Sequence, residues 1–287
     1  MKKSFCGRLF WGLFLLFWQG SVILLAQSEK TPKSFQLPPE LYEVSGLSVA
    51  NTDSLWWHND GGNAAELFLT TRAGEIRTQI SLPTRNTDWE DLSHDDEGNL
   101  YLGDFGDNRR RRESLQIYKY DPKTAVLDSF SFHYEDHLKH DTEAFFWHRD
   151  TFHLFTKSRI SRADLMTYHY VLPADHSAQT AMLRDSLPIR KRAVTAAAIH
   201  PETGTVALLA YYYKKRLGFI PYSAANVYFF NDYSGGYYLR GKMRSRRISF
   251  VVATQYESLD FLNAEELLVA SERTIFIKPK AKRINRR

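Results

Sequence analysis

The sequence predicts an all-β fold, and more specifically a β-propeller built from five four-stranded blades. Short runs rich in aromatic and β-branched residues alternate with turns rich in Asn, Asp and Gly. A pair of such runs recurs at intervals of about 50 residues, which is the period of a four-stranded blade. Beyond residue 26, no amphipathic pattern of three or more helical turns interrupts these runs.

The N-terminal segment, residues 1–26, has the pattern of a secretory signal peptide. Two lysines follow the initial methionine, residues 9–25 are largely apolar, and Ala26 is a small residue suited to cleavage. A retained membrane anchor is the alternative, because the apolar run is nearly long enough to span a bilayer. We expect cleavage, a secreted or periplasmic protein, and no membrane span in the mature chain. Cys6 leaves with the signal, so the fold has to be stable without disulfides.

The charge distribution argues against nucleic acid as a partner. The chain has a formal net charge of +5, but three basic residues belong to the signal peptide and six lie among the last ten residues. The part of the chain between them is therefore mildly acidic, unlike a nucleic-acid-binding domain. Residues 279–287 are expected to form a basic, solvated tail.

The repeat assigns one residue of each blade to the central channel. In a propeller the first strand of each blade lines the channel, and the second strand returns antiparallel beside it. When the repeats are aligned, an acidic or hydroxyl residue occupies the same place near the start of each first strand. These ring positions are Ser45, Glu90, Glu143, Thr195 and Glu257, separated by 45, 53, 52 and 62 residues.

The two ends of the mature chain are expected to complete one blade together. The fifth repeat runs out at Thr274–Lys278 with too few strands, and Ser34–Tyr42 precedes the first inner strand. The N-terminal segment can therefore supply the missing outer strand and close the ring, which gives a propeller domain over residues 27–278. Six blades are the alternative, with residues 184–194 or 214–247 supplying the additional one.

The ring residues predict a calcium site. Two carboxylates separated by ~5 Å in a medium with an effective dielectric constant of ~20 repel each other by roughly 3 kcal/mol, so three glutamates in one channel need protons or cations. Hard carboxylate and hydroxyl oxygens without His or Cys favour calcium over zinc or copper. We expect Ser45, Glu90, Glu143, Thr195 and Glu257 to hold it. Alternatively, the carboxylates face water or pair with cations such as Lys157.

Residues at the ends of the second strands predict a ligand site at the same mouth of the channel. The segment Gly103–Arg112 contains two aspartates followed by four arginines, and arginine side chains match the geometry of phosphate oxygens. A charged, solvated loop is the alternative for this segment. The expected ligand is a small anion, with a protein partner as the other option. The predicted ligand-binding residues are Asp60, Asp104, Arg109, Lys157, Tyr211 and Glu272.

The ring resembles that of the calcium-activated nucleotidases, or apyrases. Ser45, Glu90, Glu143 and Glu257 match the ring pattern of that family, and Thr195 stands where the pattern has serine. The resemblance implies a central calcium held by these residues. The segments Glu43–Leu47 and Asp88–Leu92 are also similar to the secreted propellers of the SdiA-regulated family, which implies the same architecture.

Two classes of function follow from these patterns. The first is a secreted calcium-binding propeller whose channel mouth binds a ligand or serves as a scaffold. The second is a metal-dependent hydrolase of phosphate or similar anionic esters. Hydrolysis through a serine or cysteine nucleophile has little support, because the mature chain contains no Gly-x-Ser-x-Gly sequence and no cysteine. Glycoside hydrolysis stays open because several carboxylates converge.

Overall fold

The computed structural model describes residues 30–157, 164–176, 179–216, 220–248, 255–274 and 277–287. This part of the chain is almost entirely β-sheet, with twenty strands and one short 3-10 helix, Tyr238–Arg240. The predicted signal peptide lies outside the described residues. The strands are β1 Ser34–Gln36, β2 Val44–Ser48, β3 Ser54–Asn59, β4 Glu66–Thr71, β5 Ile76–Ser81, β6 Trp89–His94, β7 Leu100–Asp104, β8 Leu115–Asp121, β9 Val126–Tyr134, β10 Thr142–Trp147, β11 Thr151–Thr156, β12 Asp164–Pro173, β13 Thr180–Arg190, β14 Ala193–Ile199, β15 Val206–Arg216, β16 Ile220–Asn231, β17 Lys242–Ile248, β18 Tyr256–Asn263, β19 Glu266–Ser271 and β20 Lys280–Asn285.

The strands form antiparallel meanders in which neighbours along the chain pair with each other. Strands β2 to β5 and β14 to β17 each form a four-stranded sheet in chain order, and β18 to β20 are joined by β1 in a third. The remaining strands form one sheet of eight, in the order β10-β11-β12-β13-β9-β8-β7-β6. Within it two meanders are joined by a short parallel pairing of β9 with β13, which links Thr180 to His133 and Ala181 to Tyr134.

The first strands of the meanders surround a common axis. Strand β2 contacts β6, β6 contacts β10, β10 contacts β14, β14 contacts β18, and β18 contacts β2. Such a closed cycle of inner strands is typical of a β-propeller. Strands β2 and β6 are buried over almost their whole length, and β14 fits the narrow centre with three consecutive alanines, Ala196 to Ala198. Aromatic and aliphatic side chains fill the space between neighbouring sheets, with Trp57 and Trp89 fully buried.

Side chains of the inner strands also hold neighbouring strands together. The Asp91 carboxylate of β6 accepts hydrogen bonds from the backbone N–H of Phe145 on β10, at 3.1 Å, and of Ala197 on β14, at 3.0 Å. On the other side of the ring, the Ser258 hydroxyl of β18 donates to the carbonyl of Ser45 on β2, at 2.8 Å. These bonds satisfy backbone groups at places where the sheets splay apart and cannot pair.

The turn after β6 shows how the sequence sets a hairpin locally. The Asp95 Oδ1 atom accepts the backbone N–H of Glu97 at 3.0 Å and of Asn99 at 2.9 Å. Gly98 lies between them with a φ of 87°, in the left-handed region that glycine adopts without steric cost. This is the Asp-Gly turn chemistry that the sequence predicts.

The two ends of the described chain pair in one sheet. Strand β1 is antiparallel to β20, with Ser34 opposite Lys282 and Gln36 opposite Lys280, as the sequence predicts for closure by the N-terminal segment. The prediction of a solvated tail over residues 279–287 is wrong, because β20 is the third strand of the last sheet. The predicted end of the domain at residue 278 is wrong for the same reason, since the sheet continues to Asn285.

Strand β20 keeps its basic side chains at the surface. Ala281 and Ile284 are buried, and Arg283 extends to the Glu266 carboxylate at 3.3 Å. The strand residues of the segments considered for a sixth blade belong to the sheets above. Those of residues 184–194 lie in β13 and β14, and those of the described part of residues 214–247 lie in β15, β16 and β17. No helix among the described residues is long and apolar enough to cross a membrane.

Candidate functional site

Six carboxyl groups converge at the end of the ring where the inner strands begin. Three lie on inner strands, Glu90 on β6, Glu143 on β10 and Glu257 on β18. Two follow second strands, Asp60 after β3 and Glu272 after β19. The sixth, Asp88, immediately precedes β6. The start of each first strand lies beside the end of its second strand, so the meander brings these residues to one mouth of the channel.

The ring residues share a local irregularity in their strands. In each of the five first strands the pairing with the second strand is interrupted at this place, as between Val44 and Gly46 in β2 and between Thr142 and Ala144 in β10. Four strands skip one residue, and β6 skips two, Glu90 and Asp91. Such bulges redirect a side chain out of the regular alternation. The residues within the five skipped positions include Ser45, Glu90, Glu143, Thr195 and Glu257.

Asp60 is the centre of the acidic cluster. It forms one group with Asp88 and Glu90 and a second group with Glu257 and Glu272, and within each group one oxygen from every carboxylate lies within 4.8 Å of the others. Asp60 is fixed by its own turn, because its backbone N–H donates to Glu43 O at 2.8 Å and its Oδ1 accepts from Gly61 N at 2.6 Å.

Two glycines allow the carboxylates to approach the backbone. A Cβ atom on Gly106 would lie 2.1 Å from Glu90 Oε1 and 2.7 Å from Asp88 Cγ. A Cβ atom on Gly61 would lie 2.2 Å from Asp88 Oδ1 and 2.8 Å from Asp88 Cα. Any larger residue at either position would displace the carboxylates, so the loops that follow β3 and β7 are shaped around the acidic cluster.

Two further predicted ligand-binding residues contact the ring glutamates. The Lys157 ammonium lies 2.5 Å from Glu143 Oε1, and the Tyr211 hydroxyl donates to Glu257 Oε1 at 3.0 Å. Burial disfavours the charge on Lys157, but Glu143 and the nearby Glu257 raise its pKa above the ordinary value. Lys157 is therefore a permanent cation, and it offsets one of the six carboxylates.

Burial and mutual repulsion raise the pKa of the remaining acids. Burial, reinforced by Glu257, raises the pKa of Asp60 to about 8. Burial raises the pKa of Glu143 to about 7 although Lys157 opposes it. The pKa values of Glu90 and Glu257 lie well above the ordinary range for the same reasons, burial first and neighbouring carboxylates second. At neutral pH this cluster therefore holds protons unless a cation replaces them.

The two hydroxyl residues of the ring donate hydrogen bonds to backbone carbonyls of the neighbouring inner strand. Ser45 on β2 donates to the carbonyl of Glu90 on β6, and Thr195 on β14 donates to the carbonyl of Tyr256 on β18, at 2.8 Å. Their oxygen lone pairs stay free of these bonds, so both residues can still act as acceptors toward a cation. The glutamates, by contrast, lie within the acidic cluster itself.

The arginine nearest the cluster is Arg112, and not the predicted Arg109. Arg109 is exposed, whereas Arg112 lies 2.7 Å from Asp104 Oδ1 and donates to the carbonyl of Gly106 at 3.1 Å. Asp104 in turn accepts the backbone N–H of Asp88 at 3.1 Å. Asp104 therefore fixes the segment that carries Asp88, and does so from outside the two carboxylate groups.

Asp88, in the acidic cluster, and Arg112, paired with Asp104, are not among the predicted site residues. Asp88 sits two residues before the ring position Glu90, and Arg112 is the last of four consecutive arginines. The position of Asp88 beside a ring residue was a usable signal. Nothing in the run of arginines distinguishes Arg112, the member that pairs with Asp104.

The donor set of the cluster suits a hard divalent cation. Its atoms are carboxylate oxygens, with hydroxyl oxygens of the ring beside them, and they offer no thiolate or imidazole. Calcium accepts six to eight such oxygens in flexible geometry, whereas magnesium prefers fewer carboxylates and several waters. The cradle formed by Gly61 and Gly106 keeps the carboxylates close together without a covering side chain.

Comparisons with known proteins support the fold. No family model matches the sequence, and no curated protein matches it. Among solved structures, an α-L-arabinanase from Penicillium chrysogenum complexed with arabinobiose has a TM-score of 0.52 at 9% identity, over 89% of this chain and 98% of that chain. An exo-β-1,3-galactanase from Phanerochaete chrysosporium has a TM-score of 0.53 at 9% identity, over 84% of this chain and 59% of that chain.

A third similar structure is MPT-4, a mannose phosphorylase from Leishmania mexicana, in complex with phosphate ion. Its TM-score is 0.51 at 11% identity, over 89% of this chain and 88% of that chain. Identities this low carry information on the fold alone. Together with the cycle of inner strands, these similarities support an all-β chain with a β-propeller fold.

Proposed function

We propose that this protein binds calcium at the acidic cluster, and that the loaded channel mouth recognises a small anionic ligand or an acidic group of a protein partner. The observation that carries this proposal is the position of Asp60, whose carboxylate belongs to two groups of three carboxylates with oxygens within 4.8 Å. Without a metal, the carboxylates of this cluster avoid mutual repulsion only by holding protons. A bound divalent cation would offset the same repulsion.

The charge balance supports a divalent cation over pairing within the protein. Six carboxylates face one buried ammonium, Lys157, and the guanidinium of Arg112 is already paired with Asp104. A calcium ion held between Asp60 and its neighbours would neutralise two further charges. It would also present open coordination positions at the mouth, where a carboxylate, sulfate or phosphate oxygen can bind beside Lys157.

We also propose that the ring has five blades and that the protein is secreted or periplasmic. The blade count is supported by the five inner strands, which form one cycle and each leave the ring residue unpaired with the second strand. The signal-peptide pattern of residues 1–26 supports the location. The ring residues that resemble those of the calcium-activated nucleotidases support the choice of calcium, and the Glu43–Leu47 and Asp88–Leu92 segments support the likeness to SdiA-regulated propellers.

Isothermal titration of the purified mature protein with calcium, after removal of metals by chelator, tests the proposal. We expect saturable binding for the wild type and an affinity at least about a hundredfold weaker for Asp60→Asn, because the change removes a charged ligand from both groups. Asp53→Asn, which alters an exposed aspartate in the turn before β3, is the matched control and should bind as the wild type does. Equal affinities in all three proteins would refute the site.

The second candidate function is metal-dependent hydrolysis of phosphate or similar anionic esters. It is favoured by Asp60, since a carboxylate shared by two groups can bridge two metal ions, and paired ions stabilise both the attacking and the leaving oxygen in phosphoryl chemistry. A panel of nitrophenyl phosphate and nucleoside triphosphates, assayed with calcium, magnesium or manganese, tests it. Hydrolysis by the wild type that is lost in the folded Asp60→Asn variant supports this candidate. Equal rates for the wild type and the Asp60→Asn variant reject it.

A further inference from the structure

A chain of buried polar side chains crosses three neighbouring strands away from the acidic cluster. His153 lies on β11, His169 on β12 and Asp185 on β13. His169 Nδ1 is 2.8 Å from Asp185 Oδ1, and His153 Nδ1 is 2.9 Å from His169 Nε2. The chain ends at the Tyr238 hydroxyl, 3.4 Å from His153 Nε2. All four side chains are buried.

The Asp185 carboxylate on β13 sets the direction of every hydrogen bond in this network of side chains. Asp185 also accepts the backbone N–H of Leu239 at 3.0 Å, so it acts as an acceptor and His169 must donate from Nδ1. A neutral His169 then accepts at Nε2, which requires His153 to donate from Nδ1 and leaves its Nε2 as an acceptor. Burial lowers the pKa of both histidines, well below the ordinary value for His153, which keeps both rings neutral.

At the Tyr238 end of this network, a Tyr238 hydroxyl that donates to His153 Nε2 leaves only its oxygen lone pairs for a ligand. If the hydroxyl turns away, the imidazole nitrogen becomes the acceptor and the tyrosine O–H becomes a donor. A ligand hydroxyl fits both arrangements because it can donate and accept, whereas a carboxylate or phosphate oxygen fits only the second.

His153 and Tyr238 line a cavity of about 540 Å³ at the opposite end of the sheets from the acidic cluster. Its other walls come from the β10–β11 turn, the β14–β15 turn and the segment between β16 and β17. The volume lies in the range of about 300 to 1,000 Å³ that is usual for small-molecule sites. The rings of Tyr233 and Tyr238 meet edge to face with centroids 4.6 Å apart and give the cavity an aromatic wall.

Few charges face the cavity. Arg149 and Glu202 line it and are exposed, and His148 lines it beside them. The Arg184 guanidinium at the rim is already bonded to the Gly235 carbonyl and lies over the Tyr237 ring. A metal ion is also disfavoured, since the groups of three metal-capable side chains found among the described residues all lie in the acidic cluster. An uncharged ligand with several hydroxyl groups fits both the aromatic wall and the acceptors.

We propose that this cavity is a second binding site, which takes a neutral polyhydroxylated small molecule of the sugar or polyol class through hydrogen bonds of its hydroxyl groups with Tyr238 or His153. The site is separate from the calcium site and does not depend on it. Asp185 and His169 act as positioning residues, because they fix the tautomer of His153 without touching the ligand.

Ligand-observed NMR and calorimetry on the full-length mature protein test this site. The neutral probes are glucose, galactose, mannose, arabinose and myo-inositol, and the anionic probes are gluconate and glucose 6-phosphate. We expect at least one neutral probe to bind more tightly than either anion. Tyr238→Phe, which keeps the ring, should weaken that binding about tenfold. The matched control Tyr237→Phe alters the adjacent tyrosine, which lies between Arg184 and Arg240, and should leave affinity unchanged.

Binding of no neutral probe, tighter binding of an anion, or equal affinities for wild type and folded Tyr238→Phe would each overturn the proposal. A second measurement needs no variant. Long-range ¹⁵N–¹H correlation spectra of the wild type report the imidazole tautomers directly. Protons at Nδ1 of both His153 and His169 are expected, and a proton at His153 Nε2 would contradict the order of hydrogen bonds on which the site depends.

Discussion

Replacing Asp60 by asparagine should have opposite effects on stability with and without calcium. Asparagine keeps the size of the side chain and removes the charge at the centre of the acidic cluster. In chelator, the variant should gain stability relative to the wild type as the pH rises. In calcium it should lose the stabilisation that the metal gives the wild type.

The magnitude follows from the pKa of Asp60, which burial and Glu257 raise from 3.8 to about 8. Between these values the folded state holds a proton that the unfolded state has released, so the stabilising effect of that proton is complete below pH 4 and lost by about pH 8. One proton of difference changes the free energy of unfolding by about 1.4 kcal/mol per pH unit. From pH 5.5 to pH 7.5 the wild type should therefore lose about 1 to 3 kcal/mol more than the variant, since neighbouring acids share the protons.

Urea denaturation at pH 5.5, 6.5, 7.5 and 8.5 in chelator measures this difference, with Asp53→Asn as the exposed control. Calcium at a hundredfold excess over its dissociation constant should stabilise the wild type by about 2.7 kcal/mol and the variant much less. In a thermal melt that corresponds to about 5 to 10 °C for a chain of this size. Parallel pH profiles for wild type and Asp60→Asn would refute the placement of Asp60 among buried, mutually repelling carboxylates.

Three further changes test other parts of the structure. Gly106→Ala should weaken calcium binding at least about tenfold in a titration, because the new Cβ would lie 2.1 Å from Glu90 Oε1; an unchanged affinity would contradict the cradle. Asp91→Ala should cost at least about 2 kcal/mol in urea unfolding, because it leaves buried backbone N–H groups on two neighbouring strands without an acceptor. Deleting residues 280–287 should abolish cooperative thermal unfolding, since it removes the strand between β1 and β19, whereas a merely solvated tail would be dispensable.

The sequence predicts the repeat well, because each inner strand carries the same hydrophobic pattern before a polar turn. The sequence cannot show that each ring residue is left out of the strand pairing, since such a bulge depends on how two strands align. It also misses the shared role of Asp60, which comes from a turn that folds back over the mouth. The sequence does not reveal β20 as a strand, because its basic residues indicate solvent while Ala281 and Ile284 are buried between them.

The pairing of β1 with β20 has a consequence for the kinetics of folding. The Ser34 hydroxyl bonds to the carbonyl of Ala281, 247 positions away. The last sheet therefore cannot assemble until β20 has been synthesised, and contacts of such long range form slowly. Until then the ring of sheets is open, and its unpaired strand edges can pair with another chain. We therefore expect the nascent protein to need a chaperone until β1 has paired with β20.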